Sequence, residues 1–353
     1  MDTVTHALLG ALVAQAAAPR RSRLSTGERL VLAGTAAAFP DVDFAGFLID
    51  PLRFLADWHQ GPTHSLLLMP LWALVLGGGF VWLTGRRSAF VEATLVCALA
   101  LTSHIVSDLI TVYGTAILAP WSDWRPALGF TFVMDPLFTG LVGLALLLSL
   151  RARSLQWVAR AGLIALCGYV GNQALLREQA LNLAELHARQ GGIENPEVAV
   201  LPQPFSPFNW TLLVIDGDRY HRAQANLVGH RPPVPDLIGL RPLRALAESY
   251  RSPTELRWES LDRWGATEEQ RALAQELWRR RDFAPFRRFA VYPSLSSVDL
   301  RDGETCVWFT DLRYDLPTLP DTFRYGFCRT TPYQDWRLHR LRYLRDDSRQ
   351  PLR

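Results

Sequence analysis

The feature that most constrains this chain is a series of six apolar stretches in its first half, with histidines and aspartates at their ends. The stretches run over Val4–Ala18, Arg29–Ile49, Ser65–Leu83, Ala89–Thr111, Phe132–Leu150 and Leu155–Leu176. Several approach the ~20 apolar residues that cross a hydrocarbon core, and a backbone in lipid must satisfy its own hydrogen bonds, so the expected elements are helices. His6 opens the first stretch, and Asp41 and Asp43 close the second. His59 and His64 precede the third, His104 and Asp108 close the fourth, and Asp123 and Asp135 lie before the fifth. Ionisable residues at a bilayer edge are costly to leave unpaired, so their gathering marks a site.

Composition divides the 353 residues in two. Residues before about 178 are rich in Ala, Leu, Val and Gly, and those after it in Arg, Pro, Trp and Asp. The near-neutral mean hydropathy of +0.04 averages these unlike halves. The expected architecture is an α-helical polytopic membrane domain of about five to six helices over 1–178. A small soluble α+β extracytoplasmic domain over 179–353 follows. The net charge is only +3 and the arginines form no concentrated stripe, so nucleic acid is not an expected partner. The expected partner is the lipid bilayer.

The first stretch could be read as a secretory signal, because Ala16-Ala17-Ala18 resembles a cleavage site. It lacks a basic region ahead of the apolar run, since Asp2 precedes it and the arginines follow, which favours an uncleaved helix. Arg20, Arg21, Arg23 and Arg29 lie between stretches one and two, Arg86 and Arg87 between three and four, and Arg151 and Arg153 between five and six. By the positive-inside rule these loops are cytoplasmic. The polar residues at the opposite ends, and everything after residue 176, are then expected to face outward: a multi-pass protein of the bacterial inner membrane with a periplasmic C-terminal domain.

His59 and His64 flank a Gly61-Pro62 turn, and His104 and Asp108 lie one helical turn apart on one face. Asp41 and Asp43 bracket Val42 just after Pro40, where the chain leaves regular helix. Imidazole and carboxylate without thiolate suit zinc, manganese or iron. Each element alone has a plainer reading: a helix-end histidine is often a cap, and Asp-x-Asp after proline is often a turn. In a polytopic protein such residues also serve ion pathways, but those thread the helix middles, whereas these gather at the ends. Metal-assisted hydrolysis is the natural reaction class, with a non-catalytic transporter or membrane-remodelling protein as the alternative. No Gly-rich phosphate loop or Gly-x-Ser-x-Gly elbow appears.

The ordered runs Met1-Asp-Thr-Val-Thr-His-Ala-Leu-Leu-Gly10, Phe39-Pro-Asp-Val-Asp43, His59-Gln-Gly-Pro-Thr-His-Ser65 and Ser103-His-Ile-Val-Ser-Asp108 resemble the bacterial inner-membrane metal-dependent hydrolases of the YdjM-like type. Tyr113-Gly-Thr115, Pro120-Trp-Ser-Asp123 and Met134-Asp-Pro-Leu-Phe138 extend the resemblance to about residue 150. Gln60 departs from the pattern, where many relatives carry arginine, and removes a phosphate contact while leaving both histidines. The order His, Asp, His, then His-x-x-x-Asp is also distantly similar to zinc-dependent phospholipases C and single-strand nucleases. These resemblances imply His6, Asp43, His64, His104 and Asp108 as metal ligands for two or more divalent ions, zinc first with manganese or iron as alternatives. Asp41, His59 and Asp135 are then further ligands, partners of ligands or the general base, and a phospholipid or other phosphoester is the implied substrate.

In the second half, Trp210–Asp216, Arg219–Leu227, Phe289–Tyr292, Thr305–Phe309 and Phe323–Cys328 alternate as strands do. Glu248–Trp258 and Thr267–Arg280 have helical spacing, and Glu178–Arg189 continues the sixth stretch until Gly191-Gly192 ends it. Arg287 and Arg288 are candidates to grip head groups. His187, His221, His230 and His339 have no ligand-like neighbours in sequence and are expected at the surface. Cys97 and Cys167 lie in apolar stretches. Cys306 and Cys328 fall in two expected strands, where a disulfide depends on whether those strands bring the Cβ atoms together.

Overall fold

The computed structural model describes residues 1–151, 156–229, 241–331, 333–342 and 348–352. His230 and Arg153 lie outside the described residues. Two compact units are present: Met1–Gly46 with Trp58–Arg177 and Pro204–Pro207, and Phe47–Asp57 with Glu178–Gln203 and Phe208–Arg353. The stretch 47–57, between the two Asp and the two His of the first half, belongs by its contacts to the second unit.

The first unit is helical: α1 (Thr3–Ala16), α2 (Thr26–Ala38), α4 (Met69–Thr84), α5 (Phe90–Leu109), α6 (Pro136–Arg151) and the start of α7 (Gln156–Gln190), with the single turn α3 (Pro51–Arg53) assigned to the second unit. Two helical stretches, Thr26–Leu48 and Arg87–Leu109, are long and apolar enough to cross a membrane among the described residues. A third is added if Pro51–His64 and Met69–Thr84, bent by 70°, form one broken span. α1 and α6 have 14 and 16 residues, roughly 21 and 24 Å of helix, short of a ~30 Å hydrocarbon core. Two or three spans thus meet this criterion of length and composition, beside the shorter apolar helices, and the expected count of about five to six is not confirmed by it.

Small residues set the helix crossings. A Cβ on Gly10 would lie 2.4 Å from Ala37 Cβ and 2.8 Å from the Ala33 carbonyl oxygen, so α1 and α2 cross in near backbone contact. Gly77 meets Thr94 between α4 and α5, and Gly162 meets Ala145 between α6 and α7 in the same way. Small residues are the usual means of close approach where lipid removes the hydrophobic incentive to pack. The helix starts are written locally. Asp2 caps α1 by accepting from Thr5 N, and Ser25 and Glu28 form a reciprocal capping box on α2.

The second unit contains two antiparallel sheets. One is β1 (Glu197–Pro202), β2 (Asn209–Asp216), β3 (Arg219–Asn226) and β4 (Glu259–Asp262) in sequence order. The other is β5 (Pro293–Arg301), β6 (Glu304–Asp311), β7 (Arg324–Arg329), β8 (Arg337–Leu341) and β9 (Arg349–Pro351), also in order. Helix α8 (Arg241–Ser249) falls between β3 and β4, and α9 (Glu268–Trp278) and α10 (Ala284–Phe289) lie between the two sheets in sequence. The aromatic-rich strands and α9 fall where alternation and amphipathic spacing place them. Two segments differ. Phe289–Tyr292 is not a strand: α10, with Pro285 in its first turn, runs to Phe289, and β5 begins at Pro293. Glu248–Trp258 is not a helix either, because α8 ends at Ser249 and Pro253 opens a single 3-10 turn before β4.

Arg287 and Arg288 are engaged within this unit. Arg288 makes two bonds of 2.8 and 2.7 Å to Asp57, and Arg287 donates to the Arg280 carbonyl. His187 and His221 are half-buried, and His187 stacks on Trp258 with centroids 3.8 Å apart. His339 is buried, contrary to the surface position expected for it, because β8 turns it onto the covered face of its sheet.

Candidate metal centre

Four elements of the helical unit bring the site together. α1 supplies His6, one turn ahead of Gly10, so the close α1–α2 crossing also fixes His6. After α2 the chain tightens into a 3-10 helix at Phe39–Leu48, where Pro40 removes a backbone donor, and this piece supplies Asp41 and Asp43. A 3-10 turn at Pro62–His64 supplies His64, and the last turns of α5 supply His104 and Asp108.

The side chains of His6, His64, His104 and Asp108 are almost wholly buried. Asp108 Oδ1 lies 3.2 Å from His6 Nε2, and Oδ2 lies 3.4 Å from His64 Nε2 and 3.3 Å from His104 Nε2. Asp41 Oδ1 approaches the Nε2 atoms of His64 and His104 at 3.8 and 3.9 Å. The His6 and His104 rings stack at 3.6 Å, and His64 meets His104 edge-on at 4.7 Å. Two groups result, His6/His104/Asp108 and Asp41/His64/His104, each with ligand atoms within 4.8 Å of one another and joined through His104.

The outer ring nitrogens are tied down. His104 Nδ1 donates to the Ala37 carbonyl at 2.6 Å. Ser107 Oγ donates to the His104 carbonyl and so accepts from His6 Nδ1 at 3.1 Å. Thr63 Oγ1 lies 3.0 Å from His64 Nδ1 and 3.5 Å from Asp43 Oδ2, to which it donates. This network assigns the proton to Nδ1 in all three rings and leaves three Nε2 lone pairs pointing inward. The Nε2 atoms of His6, His64 and His104 and Asp108 Oδ2 are buried with no hydrogen-bond partner among the described residues.

Four buried acceptors facing one another without a donor repel, and a cation between them removes the repulsion. The 3.2–3.4 Å separations between the Asp108 oxygens and the three Nε2 atoms are close to the roughly 3.3 Å expected between ligands about 2.0–2.1 Å from a tetrahedral ion. The donor set and its supports thus fit a divalent metal. Asp108 Oδ1 also accepts from the Met1 amino group, and Thr3 Oγ1 donates to Asp41 Oδ2 at 2.6 Å.

Asp41 and Asp43, two apart in the motif, meet opposite nitrogens of His64: Asp41 Oδ1 lies 3.8 Å from Nε2 and Asp43 Oδ2 lies 3.6 Å from Nδ1. Asp43 accepts from His59 Nδ1 at 3.1 Å and from the Gln60 amide at 3.0 Å, holding the 59–64 turn instead of joining either ligand group. Gln60 adopts a left-handed backbone (φ 53°) that aims its amide at Asp43, a strained conformation at a functional position. Its side chain accepts from Thr115 Oγ1 at 3.0 Å. His59 lies beside Phe44, His64 and Tyr113. Asp135 is not brought to either group: it caps α6 by accepting from Leu137 N and Phe138 N and accepts from the Tyr169 hydroxyl at 2.6 Å. The supports Thr3 and Ser107 were not singled out from the sequence. Ser107 sits three residues after His104 and carries a signal only in hindsight, while Thr3 depends on the α1–α2 crossing.

The family model described as YdjM inner membrane protein matches residues 1–180. The chain belongs to this family. The motif-based resemblance is thus borne out for the helical half, and with it a place among inner-membrane proteins. The chain is also 27% identical over 140 residues to an uncharacterized Bacillus subtilis protein, YfhP. That alignment covers 38% of the chain and 42% of YfhP, so the chain spans less than half of this curated relative. No solved structure matches.

Proposed function

We propose that this YdjM-family chain is a metal-dependent hydrolase of the inner membrane acting on a phosphoester of the phospholipid type. The observation that carries the reading is the convergence of three Nε2 atoms on the Asp108 carboxylate, His6 at Oδ1 and His64 and His104 at Oδ2, with all three nitrogens and Oδ2 buried and lacking a hydrogen-bond partner among the described residues. In this reading His6, Asp41, His64, His104 and Asp108 hold two or more divalent ions, with zinc the first candidate and manganese or iron the alternatives. Such an ion contributes Lewis acidity toward a phosphoryl oxygen and makes water a better nucleophile. Asp43 fixes the His59 ring through Nδ1, and in this reading the His59–Asp43 pair is the candidate to take the proton released as water attacks. Ser107, Thr63 and the Ala37 carbonyl keep the other imidazoles in one tautomer and orientation.

Under the same reading the arginine-bearing loops are cytoplasmic and the second unit is periplasmic. A C-terminal alkaline phosphatase fusion should then be active, and an inactive fusion beside a fluorescent C-terminal green fluorescent protein fusion would reverse the topology. The deciding experiment on function is metal analysis of the detergent-purified protein beside His64→Ala and His104→Ala/Asp108→Ala. Between one and three ions per chain, lost in variants that stay folded, together with phosphodiester or phospholipid turnover, is the expected result. A wild type that takes up no metal on reconstitution would move the polar cluster to transport or structure.

A further inference from the structure

A second group of ligand-type side chains lies in the five-stranded sheet, and its cysteines are closed as a disulfide. Cys306 and Cys328 are direct cross-strand partners on β6 and β7, and their sulfurs are bonded. Glu304 is two residues before Cys306 and so shares its face of the sheet. His339 on β8 pairs with Gly326, which is two residues before Cys328, so His339 shares that face too. Gly326 contributes no side chain between them. Ligand atoms of Glu304, Cys328 and His339 consequently lie within 4.8 Å of one another, and Cys306 Sγ is 3.7 Å from Glu304 Oε2.

Each potential ligand is prepared. His339 is buried and donates through Nδ1 to the Arg337 carbonyl at 2.8 Å, leaving the lone pair on Nε2. Glu304 Oε2 accepts from Arg349 at 3.0 Å, and Oε1 takes no hydrogen bond among the described residues. Arg349 also pairs with Asp299. A neutral disulfide exchanged for two thiolates and a divalent cation changes the net charge by nothing, so this arrangement of Arg349, Asp299 and Glu304 suits both states.

We propose that the Cys306–Cys328 disulfide masks a zinc-type site, so that the same four residues form a disulfide when oxidised and a Cys306/Cys328/His339/Glu304 metal site when reduced. The opening step is thiol–disulfide exchange with a dithiol reductant. The S–S bond breaks, the two cysteines gain two electrons and two protons, and the reductant closes its own disulfide. Binding of the dication then releases the two thiol protons. Two thiolates, an imidazole and a carboxylate make a closed tetrahedral set.

Cobalt(II) titration of the full-length detergent-purified protein, before and after dithiol reduction, tests this directly. Thiolate-to-cobalt charge-transfer absorption distinguishes this site from a His/Asp centre, which has no sulfur. Reduction should add one cobalt per chain with that absorption, and zinc should displace it. The band should be absent in Cys306→Ser/Cys328→Ser, which keeps Cys97 and Cys167, and should need at least tenfold more cobalt in His339→Ala. Glu304→Gln serves as the second ligand variant should His339→Ala not fold. A reduced wild type with both thiols titratable and no charge-transfer band overturns the proposal. So does a band that survives in the double serine variant, or one that neither ligand variant weakens.

Discussion

Asp108 in the helical unit and Asp311 in the β-rich unit are both fully buried carboxylates, and their surroundings are opposite. Asp311 is closed on every side: it accepts from the amides of Val291, Tyr292 and Arg313 and pairs with the Arg313 guanidinium, which also reaches the Phe289 carbonyl. Asp108 Oδ2 faces imidazole lone pairs and has no donor among the described residues. A closed network of this kind holds a fold together. Acceptors gathered without a donor instead lower stability until a cation arrives, and that is the signature of a binding site.

The sharpest way to break this comparison is to remove each carboxylate. Asp311→Ala leaves Arg313 buried and unpaired and should cost about 3–5 kcal/mol. Calorimetry should show the β-rich unit melting far lower while metal content per folded chain is unchanged. Asp108→Asn keeps an amide oxygen that can still accept from the Met1 amino group, so it should do the reverse, weakening metal affinity by at least about 100-fold while destabilising the metal-free protein less than Asp311→Ala does. If Asp108→Asn unfolds the metal-free protein as Asp311→Ala does, the two carboxylates have the same role and the contrast fails.

Gly10→Val tests whether the helix crossing builds the site. A new Cβ would meet Ala37 Cβ and the Ala33 carbonyl, and α2 backbone cannot yield as a flexible side chain can. Overpacking should cost about 1–3 kcal/mol, and the displacement of α1 should lower metal content although no ligand is changed. Normal metal loading in a folded Gly10→Val protein would show that His6 is positioned independently of this crossing.

How much of this was legible in the sequence follows from how local each cause is. His104 and Asp108 share a face because they are one turn apart, and the structure keeps them at 3.3 Å. The choice between Asp41 and Asp43 was not legible. In the 3-10 helix around Pro40, residues two apart point in different directions, and which one meets the Nε2 atoms of His64 and His104 depends on where α1 and α5 lie. The number of spanning helices was not legible either, because apolar composition does not separate a crossing helix from a short one such as α1. In the second unit, alternation marked β2, β3, β6 and β7, whereas Phe289–Tyr292 lies at a helix-to-strand boundary where both patterns overlap. The Cys306–Cys328 pairing needed the register of β6 against β7, which no single strand encodes.

A gentler change to the same site is Ser107→Ala. It deletes the hydroxyl that accepts from His6 Nδ1 and donates to the His104 carbonyl. The ligands stay, but His6 is free to turn or change tautomer, and metal affinity should fall about 10–100-fold. Competition with a chelator of known affinity measures this. Unchanged affinity would mean that stacking on His104 alone orients His6.

The smallest effect concerns a histidine held by stacking. His187 lies against Trp258 and near His221, and burial together with the His221 charge lowers its pKa below the usual 6.5. Glu259, next to Trp258, is paired with Arg222. Because the folded pKa is depressed, the unfolded chain takes up the proton more readily. His187 therefore costs no protonation penalty above pH 6.5, and local stability falls as pH drops below that value. Hydrogen exchange, corrected for its intrinsic pH dependence, should show the 184–190 and 256–260 segments opening more at pH about 5.5 than at about 7.5. His187→Gln, which cannot titrate, should flatten the difference. A variant that keeps the full pH dependence would show that His187 is not its source.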